Sequence, residues 1–279
     1  MLKKMIIYII MRTFLLLNTI INAYSFHIHK FLGNLTCNIL YEKFNLTILK
    51  DDCSNSSIWA DLVKVTNKYK WTKPYHYISL KTCNLKINDV KNYKEYITIY
   101  TGLINFTYGL KNDILLQNFT KEEHVKMILH LSQDLFQPLH VYDKDKGGNT
   151  YNLIRNKNNR NKSLSLHEFY DNELPVYFLE KFNYIPSYKV ENIITYDDYV
   201  AYYIVKNLIK ACEIYSKITK YIIIESFLKE KFYKELFNDY FTFVISTFLF
   251  IFSDHQEDLQ KQHLLHYLHY LIRFQALEL

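Results

Sequence analysis

Glycine and proline are scarce: the 279-residue chain has 5 of one and 4 of the other. β-Sandwiches and barrels consume both residues at their many turns. The shortage argues for long helices joined by few connections, a mainly α fold. Charge of one sign is lacking too. Lys and Arg total 34 against 28 Asp and Glu, a net of +6. Three of the basic residues, Lys3, Lys4 and Arg12, fall in the first 23 positions, which hold no acid. Beyond them 31 basic residues face 28 acidic ones, or +3, too mild to argue for nucleic-acid binding by charge alone. After the N-terminus no uncharged apolar run is long enough to span a bilayer. The run from Tyr240 to Phe252 is about thirteen residues, which suits a core helix, whereas a span needs about twenty.

What is present describes a folded, exported domain. Hydrophobic residues make up 49% of the chain and charged ones 22%, which excludes disorder and supports a large core. Residues 1–23 read as a secretory signal peptide: Lys3 and Lys4, then an apolar stretch ending at the small residue Ala23. An uncleaved anchor is the alternative, and Arg12 in its middle argues against it. Four cysteines, Cys37, Cys53, Cys83 and Cys212, allow two disulfides in three connectivities. Six glycosylation sequons, starting at Asn34, Asn45, Asn55, Asn105, Asn118 and Asn161, are weak further support in so Asn-rich a chain.

Periodicity predicts helices over 27–50, 88–108, 195–220 and 226–253, with Trp59 and Trp71 in the core. Another helix starts at Thr120, with Glu122 and Glu123 in its first turn, and stops near Pro138. Pro74 makes Trp71–Ser79 extended or a loop. The polar stretch 143–162, with Gly147 and Gly148, reads as a surface loop or hairpin, and a helix carrying His167 follows near Ser163–Ser165. Residues 24–253 form one domain, and 254–279 reads as a separate amphipathic helical extension, a candidate for membrane association.

The window His130-Leu-Ser-Gln-Asp134, then Gln137-Pro138-Leu139-His140, carries the chemistry. Residues four apart share a helix face, so His130 and Asp134 can hold one metal. Pro138 ends the helix and turns His140 in another direction. His167 and Asp171 repeat the spacing. One such pair is usually a surface pair; two, with His140 and a Gly-Gly-Asn loop between them, are far less expected by chance.

These motifs resemble the S1/P1 family of zinc-dependent, single-strand-specific nucleases. The order His130-x3-Asp134-x2-Gln137-Pro138-Leu139-His140, Gly147-Gly148-Asn149, Leu166-His167-x2-Tyr170-Asp171 is similar to the family pattern. Trp59-Ala60-Asp61 with Lys64, the pair His76-Tyr77, and Tyr24 with His29 extend it to about residues 24–253. The resemblance implies a single helical domain of the phospholipase C/P1-nuclease type, with a short hairpin or loop near 143–165. It implies three zinc ions: the first on Asp61, His76, His130 and Asp134; the second on His140, His167 and Asp171; the third on Asp134, His29 and the amino group and carbonyl of Tyr24. Asp61, Asp134 and Lys64 would be catalytic. Tyr77, Ser79 and Asn149 would line the substrate site, with Tyr77 stacking on a base. Ser79 stands where fungal members have an Asp, which weakens any base preference. Gln133 stands where the family usually has Gly, and is expected to crowd the metals. The family also implies Cys83–Cys212, leaving Cys37–Cys53 as a local pair.

The implied activity is secreted hydrolysis of single-stranded DNA and RNA to 5′-mononucleotides, with 3′-nucleotidase activity as an accompaniment and no protein partner. The rival readings are a zinc phospholipase C and an inactive secreted binding protein around a structural zinc core.

Overall fold

The computed structural model describes residues 26–49, 52–116, 118–157, 160–182, 184–218, 221–222 and 230–275, the side chains of 154–162, 221–222, 230 and 254–275 excepted. The signal segment 1–23 and Tyr24 lie outside the described residues. Seven principal helices carry the fold: α1 (Phe26–Phe44), α2 (Trp59–Val63), α3 (Ile99–Lys111), α4 (Lys121–Leu135), α5 (Leu174–Phe182), α6 (Tyr196–Lys217) and α7 (Glu230–Gln275). Shorter helical turns join them. The mainly α class expected from the missing glycine and proline is what the chain adopts.

Helix α4 is the axis. Thr120 and Glu123 cap it reciprocally: the Thr120 hydroxyl accepts from the Glu123 amide at 3.1 Å, and the Glu123 carboxylate accepts from the Thr120 amide at 2.7 Å. Every residue from Met127 to Leu135 is buried, because α1, α2, α3, α6 and α7 all pack on this helix. A helix buried on all faces has no water for its polar side chains, so His130, Ser132, Gln133 and Asp134 must find partners inside the protein. Pro138 then opens a 3-10 helix, Pro138–Val141, whose first turn is capped by Gln137.

The expected hairpin is present. Strand β1 (Asn152–Lys157) pairs antiparallel with β2 (Arg160–Ser165), Asn152 opposite Ser165, and β3 (Tyr221–Ile222) adds parallel to β1, giving the order β2-β1-β3. Two disulfides staple the helices, Cys37–Cys53 and Cys83–Cys212, the pairing that the family resemblance implies. The segment Lys231–Ser253 of α7 is apolar and long enough to cross a membrane by composition alone. However, 67% of its most apolar window is buried inside the domain, as expected of a core helix. Its rings interleave with α6: Tyr199 stacks on Phe243 at 5.2 Å and Tyr196 on Phe250 at 5.5 Å. Each such buried ring contributes roughly 1.5–3 kcal/mol through area removed from water.

Three local expectations differ from the structure. The helix read over 88–108 is split by an extended Thr98, which caps α3; its amide donates to Thr101 Oγ1 at 3.0 Å. Lys70–His76 is a 3-10 helix rather than extended chain, and Pro74 is tolerated within its short turns. Trp71, expected in the core, is 41% exposed. Helix α7 runs on past position 253 into the segment read as a helical extension.

Candidate metal centre

Four segments converge on one buried cluster. His29 comes from α1, Asp61 from α2, His76 from the end of the 3-10 helix, and His130 and Asp134 from α4. Asp134 sits between them: its Oδ2 is 2.7 Å from His76 Nδ1 and 3.1 Å from His130 Nε2, and its Oδ1 is 3.6 Å from His29 Nε2. Asp61 faces the same group, 3.5 Å from His130, 3.6 Å from His76 and 3.9 Å from His29. A second group lies alongside. His167 Nε2 is 3.1 Å from Asp171 Oδ2, and His140 Nε2 is 3.9 Å from Asp171 Oδ1. His140 Nδ1 stands 3.7 Å from Asp134 Oδ1, so Asp134 faces both groups.

The far sides of three of the rings are tied down by hydrogen bonds. His130 Nδ1 donates to the Ser57 carbonyl at 2.6 Å, and His167 Nδ1 to the Gly147 carbonyl at 2.7 Å. His29 Nδ1 donates to the side-chain oxygen of Gln133. Each bond turns Nε2 of its ring toward the cluster. Gln133, expected to crowd the metals, turns its side chain to His29 and orients that ring. Gln137 holds Asp171 through a 2.6 Å bond while accepting from the Leu139 amide at 2.6 Å. Ser57 also donates its hydroxyl to the His29 carbonyl at 2.7 Å, and a Cβ on Gly33 would stand 2.5 Å from the Ser57 Cβ, so Gly33 lets α1 approach. Gly147 has φ +64°, and a Cβ there would meet the Leu139 carbonyl oxygen at 2.8 Å. The Gly-Gly pair is thus what lets the loop reach His167. Only the motif Gly-Gly-Asn hinted at this; the roles of Ser57 and Gln133 depend on tertiary contact.

Burial and the charges set the protonation. Burial, with Lys64 nearby, pushes His76 down to about 4. Burial likewise pushes His140 down to about 4 and lowers His29. His130 is pushed up to about 10, because Asp134 and Asp61 outweigh its burial. His167 is raised, Asp171 outweighing its burial. Asp61 and Asp134 are held below the usual carboxylate range despite burial, His130 being the chief cause.

The arrangement fits a metal. Three sets of ligand atoms, His29/Asp61/His130, His76/His130/Asp134 and His140/His167/Asp171, each lie within 4.8 Å of one another. Four buried atoms facing this region, Asp61 Oδ2, Asp134 Oδ1, His76 Nε2 and His140 Nδ1, have no hydrogen-bond partner. Buried carboxylates and imidazoles in that condition are costly unless they coordinate an ion. Nitrogen and carboxylate oxygen donors suit zinc. The structure brings together all the expected side-chain ligands. The third set differs in detail from the expectation, since His29 is grouped with Asp61 and His130 and Tyr24 is outside the described residues.

A pocket of about 340 Å³ opens over His76, His140 and His167. Lys64 on its wall is paired with Asp61. Tyr77, 44% exposed, and Ser79 line it too. Asn149 also lines it, but its side chain donates to the Lys146 carbonyl at 2.8 Å, a bond that supports the loop.

Residues 30–241 match the S1/P1 nuclease family. The chain is 30% identical over 148 residues to Endonuclease 1 of Arabidopsis thaliana, covering 45% of this chain and 43% of that protein. It is 27% identical over 146 residues to Nuclease S1 of Aspergillus oryzae, covering 48% and 47%, and 30% identical over 133 residues to Endonuclease 4 of Arabidopsis thaliana, covering 43% and 42%. Each match thus spans less than half the length of the relative.

Proposed function

Because the chain belongs to the S1/P1 nuclease family, we propose that it is a secreted zinc-dependent endonuclease that hydrolyses single-stranded DNA and RNA to 5′-mononucleotides, with 3′-nucleotidase activity. The observation that carries this reading is the position of Asp134, within 3.7 Å of His29, His76, His130 and His140 at once. A carboxylate so placed would bridge neighbouring ions. Asp61, His76 and His130 would complete one zinc site with it, and His140, His167 and Asp171 a second. His29 and Asp134 would share a third with the amino group and carbonyl of Tyr24, once cleavage after Ala23 makes that residue the N-terminus. Zinc bound there supplies Lewis acidity and brings the ionisation of water toward neutral pH.

The chain's own residues do the rest. Lys64, held against Asp61, adds positive charge where the phosphate gains negative charge in the transition state. Tyr77 offers a flat ring at the pocket edge. A ring can stack on a base only if the base is unpaired, since a duplex covers both faces, so single strands are preferred. Ser79 has no carboxylate with which to select a base edge, so discrimination among bases is weak. Export through the secretory pathway is consistent with the two disulfides.

The test is kcat/KM of the zinc-loaded mature protein on four single-stranded homopolymers, a matched duplex and phosphatidylcholine, each with and without chelator. The reading expects homopolymer rates within about tenfold of one another, slow attack on duplex and loss of activity with chelator. Tyr77→Ala should raise KM for oligonucleotides without loss of zinc. Phosphatidylcholine as the best substrate would overturn the assignment.

A further inference from the structure

We propose that Lys73 and Lys146 form a subsite for the phosphates that adjoin the scissile one, so that the preferred substrate is a polynucleotide strand rather than an isolated phosphate monoester. The proposal rests on the nuclease reading and adds to it the residues that select strand length. The pocket is framed by residues 73–79 on one side and 139–149 on the other. Each side contributes one exposed lysine to the pocket lining, Lys73 from the 3-10 helix and Lys146 from the loop. Lys64 is held against Asp61 and so is not free to reach the phosphates on either side. Among the described residues the ammonium group of neither Lys73 nor Lys146 has a carboxylate or hydrogen-bond partner. Asp143 is the one carboxylate lining the same pocket. Two unpaired ammonium groups therefore border the opening above His76, His140 and His167.

The backbone at Lys146 strengthens the case. It has φ +54° within a left-handed run of Asp145 at +52°, Gly147 at +64° and Gly148 at +81°. Non-glycine residues are disfavoured there, and such strain persists chiefly at functional positions. The turn is held by main-chain contacts and Asn149: the Lys146 carbonyl accepts from the Asn149 amide at 3.4 Å and from its side chain at 2.8 Å. Neither contact uses the Lys146 side chain. Glycine would satisfy the turn better, so the fold does not call for an ammonium group at this position. A strand bound across the pocket does, because successive phosphates arrive on both sides of the one being attacked.

The test measures binding and turnover in the zinc-loaded protein. A fluorescent ten-residue phosphorothioate oligothymidylate is titrated over a salt series with wild type, K73Q, K146Q, K146R and K146G, and kcat/KM is measured on oligothymidylate and on a nucleoside 3′-monophosphate. K73Q and K146Q should each weaken oligonucleotide binding about fivefold to tenfold and reduce the salt slope by about 0.7, the value for one phosphate contact on a single strand. K146R should restore both. K146G should melt no lower than wild type yet bind as poorly as K146Q. In both glutamine variants the loss of kcat/KM on the oligonucleotide should exceed that on the monophosphate at least fivefold. Wild-type affinity and slope in K73Q and K146Q, or equal losses on both substrates, would overturn the subsite. If wild type binds the strand and cleaves nothing, the hydrolytic reading fails, while loss of binding in the variants still supports the subsite.

Discussion

The side chains of His29 and Gln133, 104 residues apart in sequence, are hydrogen-bonded in the interior, and both are fully buried. The Gln133 amide nitrogen lies 3.4 Å from the Tyr240 hydroxyl, which is itself 2.8 Å from Thr36 Oγ1. This chain of contacts fixes which nitrogen of His29 carries the proton and which way the ring points.

Gln133→Leu keeps the volume and removes the acceptor. It should weaken zinc binding at the His29 set about tenfold to a hundredfold, the usual effect of losing the partner of a ligand histidine. Competition with a zinc-chelating dye checks this. Unchanged affinity and stoichiometry would mean that the bond orients nothing of consequence.

Asp134→Ala should be the most damaging single change, because among the described residues no other carboxylate faces both groups of histidines. Elemental analysis should show the loss of at least one zinc, and turnover should fall more than about a hundredfold. Near-normal turnover in this variant would rule out the bridging role.

The zinc-free chain should be most stable near pH 6.5. His76 and His140, pushed down to about 4, reject protons that the unfolded chain accepts. Their contribution is therefore present above 6.5 and lost as pH falls through 4, where the depressed Asp61 and Asp134 begin to add to the loss. His130, pushed up to about 10, works the other way: its contribution is present below 6.5 and lost as pH rises through 10. Thermal melts in chelator over this range test the curve, and a melting temperature that climbs from pH 6.5 to 4 would contradict it. Added zinc should flatten the alkaline side, since coordination favours the neutral imidazole.

The two disulfides should differ in worth. Cys83–Cys212 spans 129 residues and Cys37–Cys53 spans 16. In the loop-entropy model the longer closure constrains the unfolded chain more by about 2 kcal/mol. Replacing Cys83 and Cys212 with Ser should lower the melting temperature more than replacing Cys37 and Cys53, and the reverse order would show that the effect lies in the folded state.

Legibility in the sequence followed locality. The capped start of α4 and the His130/Asp134 and His167/Asp171 pairs depend on neighbours within one helical turn, and all could be read directly. His29, Asp61 and His76 came from motif order, because no local rule places residues from three separate segments beside α4. Ser57 left no signal, since it acts through its carbonyl, which every residue possesses. Gln133 was read as an obstruction because the direction of its side chain depends on α1 and α7. The split at Thr98 was hidden by apolar spacing that stays helical across the break.

The side chains proposed to bind metal are spread from His29 to Asp171, and both groups face Asp134 in the middle. A chain emerging from the ribosome therefore carries half-formed centres until the second His/Asp pair has left the tunnel. It cannot close the longer disulfide until Cys212 follows. Under the proposed activity, the order of residues acts as a timer: the candidate centre is complete only after every residue from 29 to 171 has been made.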